Sequence, residues 1–415
     1  MNRVVVTGIG CLTPIGNNIA EYKHSLFNAV SGAETITKFD ASEFRTHFAC
    51  EIKNFNIEDH LGRKEVRRID PFTQFALISC DEGIKDSGLD LEKIDPDEVG
   101  VIWGSGIGGL QTMEDEIGYN AINPSPPRYS PFFIPKLIVD IAAGHISIRY
   151  GFRGPNYATV SACASSNNAI SSAFDTIRLG KAKIIVTGGS EASCTKVGIG
   201  GFAAIKAMSQ RNDDPATASR PFDKDRDGFV LGEGSATLIV EDLEHAKSRG
   251  AKIYAEIAGT ACTADAHHIT APHPEGLGAS NVMKKALRDA KMNPSDIDYI
   301  NVHGTSTPLG DVAEAKAIQK VFGDHAYKLN ISSTKSMTGH LLGAAGGVEA
   351  LASLFALKEN VVPPTINHFT DDPDLDQKLN FTFNQAQERK VNAVLSNTFG
   401  FGGHNSSVIF KSFTD

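Results

Sequence analysis

The sequence predicts an α/β protein on a mostly parallel core sheet, and three observations carry that expectation. Short β-branched runs alternate with longer amphipathic stretches. Of the 415 residues, 41% are hydrophobic and 21% charged, enough apolar chain to bury a sizeable core. Similar features also recur in the same order in the two halves of the chain.

Taken in order, strands are expected at 3–7 (RVVVT), 99–103 (VGVIW), 183–187 (KIIVT), 235–240 (SATLIV), 253–259 (IYAEIAG), 299–302 (YINV) and 392–396 (NAVLS). Each is a mainly apolar run too short for a helix. Helices are expected at 17–29, 70–87, 165–179, 279–290, 311–322 and 346–358; several open beside Asn, Asp, Ser or Gly, as helix starts should. The Pro-rich stretch 123–135 reads as a loop over a surface or interface. VVVTGIG near the start resembles EIAGTAC at 256–262, and TVSACASSNNAI at 159–170 resembles NISSTKSMTGHLLGAAGG at 330–347. These pairs suggest a duplication, with an N-terminal half at 1–250 and a C-terminal half at 251–415.

Charge narrows the function. Lys and Arg number 40 against 49 Asp and Glu, a net charge of −9, which excludes phosphate-backbone binding as the main role. The start, MNRVVVTGIG, lacks the apolar run of a signal peptide, and no stretch reaches the roughly 18 apolar residues of a membrane span. A soluble, cytoplasmic protein without a membrane or nucleic-acid partner is expected. Six scattered cysteines without a CxxC pair suggest neither zinc nor a disulfide framework.

Three motifs invite other readings. GSGIGG at 104–109 fits a dinucleotide fingerprint, but NPSPPRYSPFF follows where a second strand is needed, so it reads as a close-packed glycine turn. DKDRDG at 223–228 imitates a calcium loop, yet position 12 is Gly234 instead of Glu, leaving a structural acidic turn. His267, His268 and His273 lack a carboxylate partner, so no metal is expected.

Cys163 carries the chemistry. It lies where an apolar strand turns into a helix rich in Ala and Ser, and a helix N-terminus favours thiolate over thiol. Its own N–H would face an oxyanion on a bound acyl group. His303 in VHGTSTPLGD and His340 in TKSMTGHLLGAAGG also sit at strand-to-helix junctions, where side chains reach into a cleft. SNTFGFGGHN at 396–405 adds a glycine-flanked aromatic loop able to move or present amides.

With VVVTGIGCLTPIG, TVSACASS, PFDKDRDGFVLGEG, DAHHIT, VHGTSTPLGD, TKSMTGHLLGAAGG and NTFGFGGHN in this order, the chain resembles the elongating β-ketoacyl synthases, the type 2 3-oxoacyl-[acyl-carrier-protein] synthases, over essentially its full length. The resemblance implies the thiolase-like fold, with duplicated halves in a five-layered αβαβα sandwich, and a homodimer. It implies that Cys163 takes an acyl chain from acyl carrier protein as a thioester. Malonyl-carrier protein would then lose CO2 and attack that thioester, with His303 and His340 stabilising the oxyanion. No cofactor is implied beyond the carrier's phosphopantetheine arm.

By the same resemblance, Lys335 supports the site electrostatically and Glu349 joins it in a buried charge network. The N–H groups of Cys163 and Phe401 form a second oxyanion hole, and Phe401 gates the acyl pocket; Phe399 is read as packing support. Thr305 and Thr307 match positions that bind pantetheine, as does Thr270, beside which Ala271 lacks a hydroxyl. Ile107 would lie along the acyl pocket. Lys64, Arg67, Arg68 and Lys206 would dock the acidic carrier protein. His404 stands where many relatives have Thr. Thiolases and type 3 synthases differ in having a second Cys or an Asn in place of one histidine, and chain-length factors lack the nucleophilic Cys. The ketosynthases of iterative polyene or polyketide pathways share the same residues.

Overall fold

The computed structural model describes residues 1–123 and 125–414; Pro124, inside the expected loop at 123–135, lies outside them. Two small two-stranded ribbons flank its core, a ten-stranded sheet. In chain order the strands are β1 (Val4–Leu12), β2 (Val99–Gly104), β3 (Asn156–Thr159), β4 (Ile184–Glu191), β5 (Gly234–Asp242), β6 (Ala255–Ala264), β7 (Tyr299–Asn301), β8 (Asn330–Ser332), β9 (Ala393–Gly400) and β10 (His404–Lys411). They lie side by side as β8-β7-β9-β10-β6-β1-β5-β4-β2-β3. Counted within its own five strands, each half reads third, second, fourth, fifth, first, and the halves meet through their first strands.

The sheet is mixed, which corrects the mostly parallel expectation. Parallel ladders join only β2 to β3 and β4, and β7 to β8 and β9. The remaining ladders, β1·β5, β1·β6, β4·β5, β6·β10 and β9·β10, are antiparallel. A three-residue link between β9 and β10 forces antiparallel neighbours, because a parallel pair needs a long crossover. Runs of Val and Ile reveal a buried strand but not its direction.

Among the described residues, six of the longer helices build the layers on the sheet: α1 (Pro71–Ser87), α2 (Ile141–Tyr150), α3 (Ser165–Arg178), α4 (Leu277–Ala290), α5 (Pro308–Phe322) and α6 (Ala345–Glu359). α1 and α2 pack outside the first half-sheet, and α4 packs outside the second with α5 against it. α3 and α6 pack on each other and touch strands of both halves, so they form the middle of five layers. Residues 345–357 of α6 are all buried, as expected of a helix that is apolar on every side.

Glycine permits the closest contacts at the centre. A Cβ on Gly104 at the end of β2 would come within 2.5 Å of the Ser166 nitrogen, at the start of α3. One on Gly346 would come within 2.6 Å of Asn167 Oδ1.

The two ends of the sheet differ. Beyond β8, the Ile331 N–H donates to the Asn380 carbonyl at 2.8 Å, which covers that edge. β3 pairs with β2 alone, and beside its free edge Tyr157 and Val160 are 41% and 59% exposed. β3 and β8 are the short strands that run into the two turns, while β10 has no counterpart in the sequence reading because the polar residues of HNSSVIFK dilute its apolar signal. Among the described residues no helix is long and apolar enough to cross a membrane.

Candidate active site

Two similar elbows face each other. A 3-10 turn at Ala162–Ala164 leads into α3, and another at Leu342–Ala344 leads into α6. Each turns through a left-handed residue, Ala162 at φ +50° and Leu342 at φ +47°. A residue with a Cβ in that region is strained by on the order of 1–2 kcal/mol, which the surrounding packing must supply. Cys163 is at the middle of the first elbow and Gly343 at the middle of the second.

His340 precedes the second elbow. Its N–H donates to the Val230 carbonyl at 2.7 Å and its carbonyl accepts from Gly232 at 2.9 Å, so the backbone is held on both sides. Its Nε2 stands 3.0 Å from Cys163 Sγ. His303, just past β7, meets the His340 ring at 86° with centroids 5.3 Å apart. Phe229 packs edge-on to His340 at 5.4 Å, and Phe399 lies 5.6 Å from His303. Phe399 therefore touches the histidine pair as well as the core. The cysteine comes from the first half and both histidines from the second.

Behind them Lys335, 1% exposed, pairs with the carboxylate of Glu349 on α6, 2% exposed. Burial pushes Glu349 up to about 7 despite the Lys335 ammonium. Burial together with the Lys335 charge holds His303 and His340 well below the usual imidazole range. Both rings are neutral at pH near 7 and can donate one N–H each.

Cys163 departs from the expected thiolate. Burial pushes its thiol up to about 12, although Lys335 and the N–H groups of Phe401 and Cys163 itself all favour the anion. The partial charge at a helix end is weaker than the desolvation of a 7%-exposed sulfur. Burial therefore disfavours a free thiolate at neutral pH. The resting pair is a neutral thiol against a neutral imidazole. The Phe401 N–H reaches Sγ because Gly400 lies on the elbow, where a Cβ would fall 2.8 Å from the Ser161 carbonyl and 3.0 Å from the Cys163 nitrogen.

These groups open into a cavity of about 390 Å³ whose walls include Lys206, Thr270, Thr305, Thr307, Phe399 and Phe401. The Thr305 and Thr307 hydroxyls are 3.0 Å apart. Ile107 does not line this cavity but packs against the apolar cluster that holds Cys163. Lys64, Arg67 and Arg68 are not in the cleft either, but surround a surface hollow with Arg63 and Phe132. Loop 401–403 is tied to the loop after β6, where Gly402 N–H donates to the Ile269 carbonyl at 2.7 Å and Asn405 to Asp265 Oδ1 at 2.8 Å.

Sequence reasoning missed the buried carboxylates that hold these loops. Glu314 of α5 accepts from the His303 and Gly304 amides at 3.0 and 2.9 Å and from Asn397 at 3.3 Å. Its signal was a lone Glu on the Ala-rich buried face of a helix. Glu191, at the end of β4, accepts from the Gly106 and Gly343 amides at 2.7 and 2.9 Å. GSGIGG thus does cradle an anion, but the anion is this side chain. In DKDRDG, Asp223 accepts from the Phe369, Thr370 and Asp225 amides and pairs with Arg220, so the acidic turn is structural.

The family profile described as beta-ketoacyl synthase, N-terminal domain, matches residues 1–246, and that of the C-terminal domain matches 254–369. A 3-oxoacyl-[acyl-carrier-protein] synthase 2 of Staphylococcus aureus is 50% identical over 412 residues, covering 99% of this chain and 98% of that one. One from Synechocystis sp. is 49% identical over 411 residues, with the same coverage. The solved ishigamide ketosynthase/chain length factor superposes with a TM-score of 0.93 at 31% identity, covering all of both chains. A type II polyketide ketosynthase solved in complex with its acyl-carrier protein gives 0.92 at 32% identity, over 99% of this chain and 100% of that one.

The protonated resting state is measurable. Iodoacetamide alkylation of Cys163, followed by intact mass with Cys163→Ala as the blank, should be slow near pH 7 and rise roughly tenfold per pH unit to about pH 9. Lys335→Met removes the charge that opposes burial and should slow the reaction further at each pH. A rate that levels off below about pH 8 would mean a resting thiolate.

Proposed function

The chain belongs to the beta-ketoacyl synthase family, and we propose on that footing how its cleft performs the family's reaction. The enzyme is a β-ketoacyl-[acyl-carrier-protein] synthase II, an acyltransferase of fatty acid elongation. It condenses an acyl group with malonyl-[acyl-carrier-protein] to give 3-oxoacyl-[acyl-carrier-protein] and CO2. The observation that carries the assignment of roles is Cys163 Sγ at 3.0 Å from His340 Nε2, with the second imidazole beside them.

In the first half-reaction the Cys163 sulfur attacks the acyl thioester. Because a free thiolate is so costly here, the proton leaves Sγ for Nε2 of His340 as the C–S bond forms, and then passes to the departing pantetheine sulfur. The N–H groups of Cys163 and Phe401 hold the oxyanion of this step. In the second, malonyl-carrier protein places its thioester carbonyl at the histidine pair. Neutral His303 and His340, the latter now in the tautomer that carries its proton on Nε2, donate to that oxygen as the carboxylate leaves as CO2. The carbanion attacks the Cys163 thioester carbonyl, the C–S bond breaks to release the 3-oxoacyl product, and Sγ takes up a proton from solvent. Two uncharged donors suit this step because an enolate forms from a neutral carbonyl inside a dry site. Lys335 keeps both rings neutral at rest and makes the charge that His340 takes up in the first half-reaction short-lived, with Glu349 as its counter-ion.

Thr305, Thr307 and Thr270 line the route of the pantetheine arm, and Phe401 gates it between its glycines. No cofactor is called for beyond that arm. Acyl carrier protein is the macromolecular partner, docked by Lys206 at the cleft and by Lys64, Arg67 and Arg68, since a chain of net charge −9 must meet an acidic carrier through local cations. A homodimer forms through the uncovered β3 edge, a row of free backbone groups flanked by Tyr157 and Val160. A cytoplasmic location fits six free thiols, five of them buried.

Malonyl-carrier protein with a panel of acyl-carrier proteins should give 3-oxoacyl products; no product at any length rejects the synthase reading. Cys163→Ala should abolish condensation. His303→Ala should cut malonyl decarboxylation by roughly 100-fold or more while sparing acyl transfer, and His340→Ala should impair both half-reactions. Decarboxylation should persist as pH falls through the usual imidazole range, because both rings stay neutral there; an acid limb near pH 6.5 would contradict that.

Reversing Lys64, Arg67 and Arg68 to Glu should weaken carrier-protein binding most at low salt, and an unchanged affinity would remove the patch. Sedimentation equilibrium should give twice the chain mass, falling to one with Val160→Asp; a single-chain mass for the parent would refute the dimer.

A further inference from the structure

Glu191 is fully buried, at the end of β4, and the chemistry above makes no use of it. A buried carboxylate is costly unless it is well supplied with donors, and this one has five. Its Oε1 accepts from Ser105 Oγ at 3.1 Å, Ile107 N at 3.2 Å and Gly108 N at 3.4 Å. Its Oε2 accepts from Gly106 N at 2.7 Å and Gly343 N at 2.9 Å. Glycine is needed for the approach: a Cβ on Gly343 would lie 2.2 Å from the Gly106 nitrogen and 2.6 Å from Glu191 Oε2.

The carboxylate therefore clamps loop 105–108 to the second elbow. Each clamped piece carries one apolar side chain, Ile107 on the loop and Leu342 on the elbow. Both pack in the cluster that holds Cys163, together with Ile199, Phe202 and Phe229. An acyl chain attached to Sγ must enter between apolar groups, and these two stand on either side of the clamp.

We propose that Glu191 is a positioning residue for acyl selectivity, fixing the gap between Ile107 and Leu342 and so the width of chain that Cys163 accepts. The proposal rests on Cys163 being the acylated nucleophile. Replacing the carboxylate by a carboxamide tests it directly. Gln has one acceptor oxygen, and its NH2 group would face amide N–H donors, so either the loop set or the Gly106 and Gly343 set must be released. The walls then part, and a methyl branch near the thioester is admitted.

Acyl transfer to Cys163 from straight-chain acyl-carrier proteins and their methyl-branched isomers would be timed in single turnovers by intact mass. In Glu191→Gln the preference for the straight isomer should fall by about tenfold, the scale on which an apolar pocket discriminates one methyl group. Ser105→Ala, which removes one donor and leaves the carboxylate, should shift the preference in the same direction by less. A merely structural role lowers both isomers alike, so a preference within about twofold of the parent overturns the proposal whatever the fall in rate. If Glu191→Gln does not fold, the Ser105→Ala preference decides. A parent enzyme that transfers no acyl group at all would refute the synthase reading instead.

Discussion

The close approach of two helix starts is the constraint from which the rest of the structure follows. α3 and α6 begin so near each other that the Gly347 N–H donates to Ser166 Oγ at 2.9 Å and Asn167 blocks any side chain at Gly346. Only residues as small as Gly, Ala and Ser fit there, which is why both elbows run through SACASS and LLGAAGG. The approach is also what brings Cys163 of one half onto His340 of the other. Neither half has a complete site alone. The sheet, layered on both sides of these helices, keeps the two starts from separating.

Burial then sets the charges. Lys335, Glu349, Glu191 and Glu314 are all nearly or fully buried, and each is held by a partner or by backbone donors. In so dry a setting one ammonium acts strongly on its neighbours, lowering the basicity of two imidazoles and easing ionisation of a thiol at the same time. These demands conflict at Cys163, where desolvation wins, and the conflict is resolved by a proton acceptor within hydrogen-bonding reach rather than by a stable anion.

What could be read from the sequence was chemistry tied to local motifs. Cys163, His303, His340 and Lys335 lie in strings whose glycines and hydroxyl residues mark sharp turns after strands, and the repeat of those strings anticipated two similar halves. Strand direction was not legible, since Val and Ile report burial and nothing about pairing. Nor were Glu191 and Glu314: a carboxylate that serves distant amides leaves no pattern near its own position, and GSGIGG could not reveal that its anion came from 83 residues further on, as the Gly108–Glu191 bond shows. The thiolate expectation failed for a related reason. Helix polarity can be read along the chain, while desolvation depends on what packs around the sulfur from elsewhere.

A nucleophile that rests as a thiol has one more property. Peroxide and other oxidants react with thiolate far faster than with thiol, so Cys163 between turnovers is a poor target for sulfenic acid formation. None of the six cysteines is held in a disulfide. The same burial that makes acylation wait for a histidine leaves the idle sulfur less reactive toward oxidants.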